Sequence, residues 1–132
     1  MFRHVGIVVE DMDRMSSFYQ NTFNLEVMYD EVEELEHIAG FDKVKGHIQK
    51  LGTNGITIIE LLKWDVTDKE SISSDIFDYG ISHFALTVDD VEETCKKSHL
   101  IIYEPKKSPD GKVKLAFCHD PEGNVLELVE LL

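Results

Sequence analysis

The chain states one pattern twice. Residues 4–12 read His-Val-Gly-Ile-Val-Val-Glu-Asp-Met, and residues 83–91 read His-Phe-Ala-Leu-Thr-Val-Asp-Asp-Val. Both open on histidine, continue as a β-rich segment, reach an acidic pair and enter a helical pattern. A second pair follows, Gly-Ile-Thr-Ile-Ile-Glu-Leu-Leu at 55–62 and Gly-Asn-Val-Leu-Glu-Leu-Val at 123–129. Each is a glycine turn feeding a strand with one glutamate inside it. An internal repeat of this length marks a supersecondary unit used twice, so two similar half-domains are predicted.

The first half begins with a strand over 3–9. Asp11 or Asp13 can cap a following helix, whose stripe is Met12, Met15, Phe18, Tyr19 and Phe23, and Asn24 suits the turn after it. Strand character resumes at 25–29, 44–51 and 56–62, the last two joined by Gly52-Thr53-Asn54-Gly55, where Asn-Gly accepts the positive φ of a tight hairpin. The acidic stretch from Asp30 to Asp42 has no clean period. In the second half, a strand over 82–88 leads into Asp90-Val91-Glu92-Glu93, a capping-box pattern opening a helix to about Ser98. Strands then fit 101–104, 113–118 and 124–131, with turns at Pro109-Asp110-Gly111 and Asp120-Pro121-Glu122-Gly123. Each half reads β-α-β-β-β, an α+β chain with modules at 1–63 and 81–132. The linker 64–80 carries a weak apolar stripe at Ile72, Ile76 and Phe77.

Composition narrows the function. With 132 residues, one domain of paired modules is expected. Thirteen Lys and Arg against 26 Asp and Glu give a net charge of −13, a field that disfavours nucleic acid and anionic lipid. No apolar run is long enough for a membrane span, and Glu10 and Asp11 end the N-terminal apolar run too early for a signal peptide. Two cysteines, Cys95 and Cys118, form no CxxC and read as small buried hydrophobes in a reducing, cytoplasmic setting.

Four residues stand out against this background. Glu60 and Glu127 occupy strand interiors, with Ile56, Ile58 and Leu62 on the face of the first and Val125 and Val129 on that of the second. A carboxylate buried among such neighbours is costly unless something compensates it. A divalent cation is one remedy, since imidazole and carboxylate together suit nickel, zinc, cobalt, manganese or iron, and His4 and His83 open strands at matching places in the repeat. Taken singly, each glutamate could face solvent and each histidine could bond a backbone carbonyl. The duplication of both pairs favours the metal. His47 alternates with Gln49 and could line the same cavity or face solvent.

The segments around His4 with Phe18-Tyr19, around Glu60, from Ser82-His83 to Asp90, and from Asp120 to Leu128 together resemble the vicinal oxygen chelate superfamily, which includes glyoxalase I, methylmalonyl-CoA epimerase, extradiol dioxygenases, and fosfomycin- and bleomycin-resistance proteins. The resemblance implies curved mixed sheets around a metal-centred cavity, usually completed in a homodimer. The ligand set His4, Glu60, His83 and Glu127 is similar to that of small bacterial glyoxalase I. It implies a lyase/isomerase acting on a thiol adduct of an α-oxoaldehyde through an enediolate, with Glu127 as general base and Glu60 as ligand and second acid/base. The epimerases usually place Gln where Glu60 stands, and their further catalytic glutamate would fall near Gln49. A non-catalytic module binding a small molecule is the alternative from another class. Glutathione-carboxylate contacts expected four residues beyond His4 and Glu60 are replaced by Val8 and Trp64. Trp64 therefore joins His47 and Gln49 as a substrate-contact candidate.

Overall fold

In a computed structural model that describes residues 2–66, 77 and 79–132, the repeated pattern becomes two four-stranded mixed sheets of the same topology. The chain divides into two compact units with a boundary between 71 and 72, apart from residues 21–23, which group with the second. Of the expected linker, Trp64 continues the preceding strand, and Ile72 and Ile76 lie outside the described residues.

The first unit runs β1 (Val5–Val8), α1 (Met12–Phe23), β2 (Glu26–Ile38), β3 (Phe41–Thr53) and β4 (Ile56–Trp64), with sheet order β1-β4-β3-β2. β1 pairs with β4 in parallel, and the other two pairings are antiparallel. Asp11 caps α1 by accepting from the Arg14 amide at 3.0 Å. Asn24 ends it in the left-handed conformation at φ 54°, which a short polar side chain tolerates. Met12, Met15 and Tyr19 of the expected stripe are buried, whereas Phe18 and Phe23 are half-buried. The hairpin at Asn54 and Gly55 has φ of 52° and 76°, as its sequence requires.

The acidic stretch without a period is itself strand. β2 and β3 form one long hairpin turning at Ala39 and Gly40, both at positive φ. The alternation is missing because β2 is the edge strand and neither of its faces is buried, so no position demands an apolar residue. Three of its acidic side chains pair across the strands, Glu34 and Glu36 with Lys43 at 2.9 and 3.5 Å and Asp30 with His47.

The second unit runs β5 (Phe84–Thr87), α2 (Val91–Lys97), β6 (Ile101–Lys107), β7 (Val113–His119) and β8 (Val125–Leu131), ordered β5-β8-β7-β6. Asp90 caps α2, accepting from the Glu93 amide at 2.9 Å. β6 extends through Pro105, which is tolerated because β6 is an edge strand with an irregular register there. The turn after β7 is held by Asp120, fully buried, whose carboxylate accepts from the amides of Glu122 and Asn124. Among the described residues, no helix is long and apolar enough to cross a membrane.

Candidate metal centre

Strand register assigns each side chain to a face. In the first unit Glu60 is paired with Gly6 on β1 and with Lys50 on β3, and Lys50 with Tyr29 on β2. Directly paired residues share a face, so Glu60, Lys50 and Tyr29 form one row across the sheet. The opposite face carries Ile7, Leu51, Ile59 and Leu61, all buried. That face is the core, and Glu60 lies on the other one. Ile56, on the glutamate's own face, is 65 % exposed, and the Glu60 side chain is half-buried on an open face. Glu127 is placed likewise. Leu126 and Leu128 beside it are fully buried, while Glu127 shares its face with Phe117. The apolar residues flanking the glutamates in sequence are core; of those two positions away, Ile56 is exposed, Ile58, Leu62 and Val129 are half-buried, and Val125 is buried.

On each open face the repeated histidine meets its glutamate. His4 Nε2 lies 3.2 Å from Glu60 Oε2, and His83 Nε2 lies 3.4 Å from Glu127 Oε2. The Ser82 hydroxyl stands 2.8 Å from His83 Nδ1 and so fixes the ring with Nε2 toward the carboxylate. Beyond these pairs the two rows differ. In the first, Lys50 Nζ lies 3.6 Å from the other Glu60 oxygen, Oε1, and 5.0 Å from the Tyr29 ring centroid. The Tyr29 hydroxyl donates to Glu33, and that bond, with the nearby negative charge, pushes its pKa up to about 12. In the second, Phe117 takes the place of Lys50, edge-on to His83 at 5.2 Å and to Tyr103 at 6.2 Å.

His47 and Gln49 do not join the His4–Glu60 face. They are three and one residues before Lys50 on β3, out of phase with it in the two-residue period, and therefore project to the opposite side. There His47 Nε2 lies 2.5 Å from Asp30 Oδ1, and Gln49 Nε2 donates to Asp30 Oδ2 at 3.1 Å. Gln49 is buried, and its Oε1 has no hydrogen-bond partner among the described residues. Trp64 does share the Glu60 face. Its ring lies on Gly46, where an added Cβ would come within 2.4 Å of the indole.

Among the described residues, one group of three acidic side chains also lies within ligand distance of one another, Asp90, Glu92 and Glu130. Sequence reasoning did not single it out. Lys114 already pairs with two of the three, 2.8 Å from Glu92 and 3.6 Å from Glu130, and Glu130 also accepts from the Val91 amide. It anchors the start of α2.

Comparison with known proteins agrees with these elements. Residues 2–128 match the model of the Glyoxalase/Bleomycin resistance protein/Dioxygenase superfamily. A probable lactoylglutathione lyase of Synechocystis is 27 % identical over 135 residues, covering 96 % of this chain and 92 % of that protein. A probable chloroplastic lactoylglutathione lyase of Arabidopsis thaliana is 29 % identical over 96 % of this chain, which spans only 35 % of that longer protein. In shape the chain is similar to a glyoxalase family protein of Bacillus cereus, with a TM-score of 0.83 at 20 % identity, covering 99 % of this chain and 93 % of the other.

Proposed function

Since this chain belongs to the Glyoxalase/Bleomycin resistance protein/Dioxygenase superfamily, we propose that it is a metal-dependent lyase/isomerase of the glyoxalase I type, acting on a thiol adduct of an α-oxoaldehyde. One observation carries the reading. Each repeat presents an imidazole nitrogen and a carboxylate oxygen on an open sheet face, 3.2 and 3.4 Å apart. Two ligands of one ion at ~2.1 Å are separated by about 3.0 Å in octahedral and about 3.4 Å in tetrahedral geometry. Both pairs fall in that window, and the donor set suits a borderline divalent cation. His4, Glu60, His83 and Glu127 would hold it, within one chain or through the pairing of two.

A divalent cation in such a site supplies Lewis acidity beside a substrate carbonyl. The chain's own groups do the rest. Glu127 is the general base that takes the proton from carbon and returns it to the neighbouring carbon. It suits the part because Phe117, its cross-strand neighbour, gives it no second ion pair. Glu60, engaged from two sides by His4 and Lys50, is the less mobile carboxylate. Trp64 offers an apolar wall to the thiol portion of the substrate. The epimerase alternative wants a carboxylate on β3, and the β3 residue paired with Glu60 is Lys50.

The test is elemental analysis together with turnover of methylglyoxal and several thiols after loading with nickel, zinc or cobalt. His4→Ala should lose metal. Glu127→Gln should keep most of the metal and lose roughly 10²–10⁴-fold in turnover. A parent protein that takes up no metal would instead favour a sequestering module.

A further inference from the structure

We infer that Asp30, His47 and Gln49 form a separate binding site for a divalent cation, on the face of the first sheet away from Glu60. The inference is independent of the metal centre proposed above, since the two share no residue. Asp30 is the hub. Its Oδ1 lies 2.5 Å from His47 Nε2, and its Oδ2 accepts from Gln49 Nε2 at 3.1 Å. Strand register sets the three side by side, Asp30 being paired directly with Gln49 and lying diagonally from His47. Solvent reaches the cluster, with the Asp30 side chain 49 % and that of His47 33 % exposed.

Gln49 is the residue that points to an ion. It is 6 % exposed, and its Oε1 has no hydrogen-bond partner among the described residues. A buried amide oxygen without a donor is costly, and no bond at that end fixes the amide's orientation. A half-turn about the last side-chain bond exchanges the two ends and sets Oε1 against Asp30 Oδ2. Two acceptors in contact need a cation between them. The donor set is then an imidazole nitrogen, a carboxylate and an amide oxygen, which suits zinc and its neighbours. Ligands ~2.1 Å from an ion stand about 3.0 Å apart at right angles. The Gln49–Asp30 contact has that separation, and the His47–Asp30 pair reaches it by opening roughly 0.5 Å.

The surrounding charge permits a cation. From Asp30 to Glu36 this face carries Asp30, Glu34 and Glu36 on β2 against Lys43 and Lys45 on β3 and Lys63 on β4. Lys43 is engaged by Glu34 and Glu36, and Lys45 is paired with Glu34. Lys63 flanks His47 on the strand away from Asp30. Asp65, whose amide donates to the Lys45 carbonyl, adds a further negative charge. The bonds from His47 and Gln49 hold the Asp30 carboxyl below its ordinary range, so it is ionised at neutral pH. A bound ion would tie the edge strand β2 to β3.

The experiment is equilibrium dialysis of chelator-stripped protein against zinc, read by elemental analysis. The parent and His4→Ala should share a class of bound zinc that Asp30→Asn and His47→Ala both lose. Gln49→Glu should bind that zinc about tenfold tighter, because affinity rises with ligand charge. Zinc should also raise the melting temperature of Gln49→Glu more than that of the parent. A glutamine that only hydrogen-bonds gives the opposite result, since a glutamate there repels Asp30 and zinc does not rescue it. Zinc uptake unchanged in Asp30→Asn and His47→Ala, or no gain in Gln49→Glu, would overturn the site. So would uptake only at millimolar zinc, the mark of an adventitious ion. Failure of the lyase reading leaves a different trace, because loss of zinc in His4→Ala, or its absence, bears on the other centre alone.

Discussion

Asp30 shows how one residue settles the fate of two others. It receives His47 and Gln49 on the side of β3 away from Glu60, and these bonds hold its carboxyl below the ordinary value of 3.8. A carboxylate whose pKa is depressed on folding stabilises the native state above its unfolded value. It loses that contribution as pH falls through the folded one. Urea midpoints measured from about pH 5 to about pH 2 should therefore fall more steeply for the parent than for Asp30→Asn. A variant curve that runs parallel to the parent's would show that the bonds carry no linkage. The pairing was hidden in the sequence, because Asp30 sits seventeen residues from His47 and only the register joins them. The two His–Glu pairs were legible for the opposite reason: repetition marked them without any knowledge of contacts. Lys50 had no such mark, since lysine on a strand is ordinary until its partner is known to be Glu60.

At the scale of elements, caps and turns were readable because their chemistry is local. Asp11, Asn24, Asn54-Gly55 and Asp90 each do what their side chains or φ preferences dictate. β2 was not readable, since an edge strand exposed on both faces leaves no periodic trace. Two glycines in β3 are required by close approach rather than by φ. A Cβ on Gly52 would meet the Ile56 carbonyl oxygen at 2.0 Å, where the β3–β4 register shifts, and backbone cannot step aside. Gly52→Ala should cost about 1–3 kcal/mol or more and lower the melting temperature by several degrees. Gly46→Ala meets a side chain, the Trp64 ring, and should shift the fluorescence maximum at a smaller cost in stability. A Gly52→Ala protein melting with the parent would contradict the packing described.

For the whole molecule, homodimer formation is the expectation tied to the proposed centre. Sedimentation equilibrium at micromolar concentration should give twice the mass of 15.1 kDa. A monomer that still binds metal through all four residues would place the complete centre within one chain. The architecture was legible because duplication fixes topology: whatever the first β-α-β-β-β unit does, the second must repeat. The sidedness of each sheet was not, and the strand register sets Glu60 opposite the buried face of Ile59 and Leu61.

The acid-rich margin of β2 has a consequence of its own. Glu26, Glu31, Glu33, Glu34 and Glu36 line an unpaired strand edge, where mutual repulsion discourages a neighbouring molecule from docking backbone to backbone. Acidification should neutralise that guard and make the same thirteen-residue edge more prone to strand-to-strand association, read as light scattering that rises below about pH 4. The same negative charge that disfavours anionic polymers therefore also opposes backbone-to-backbone pairing along this one edge.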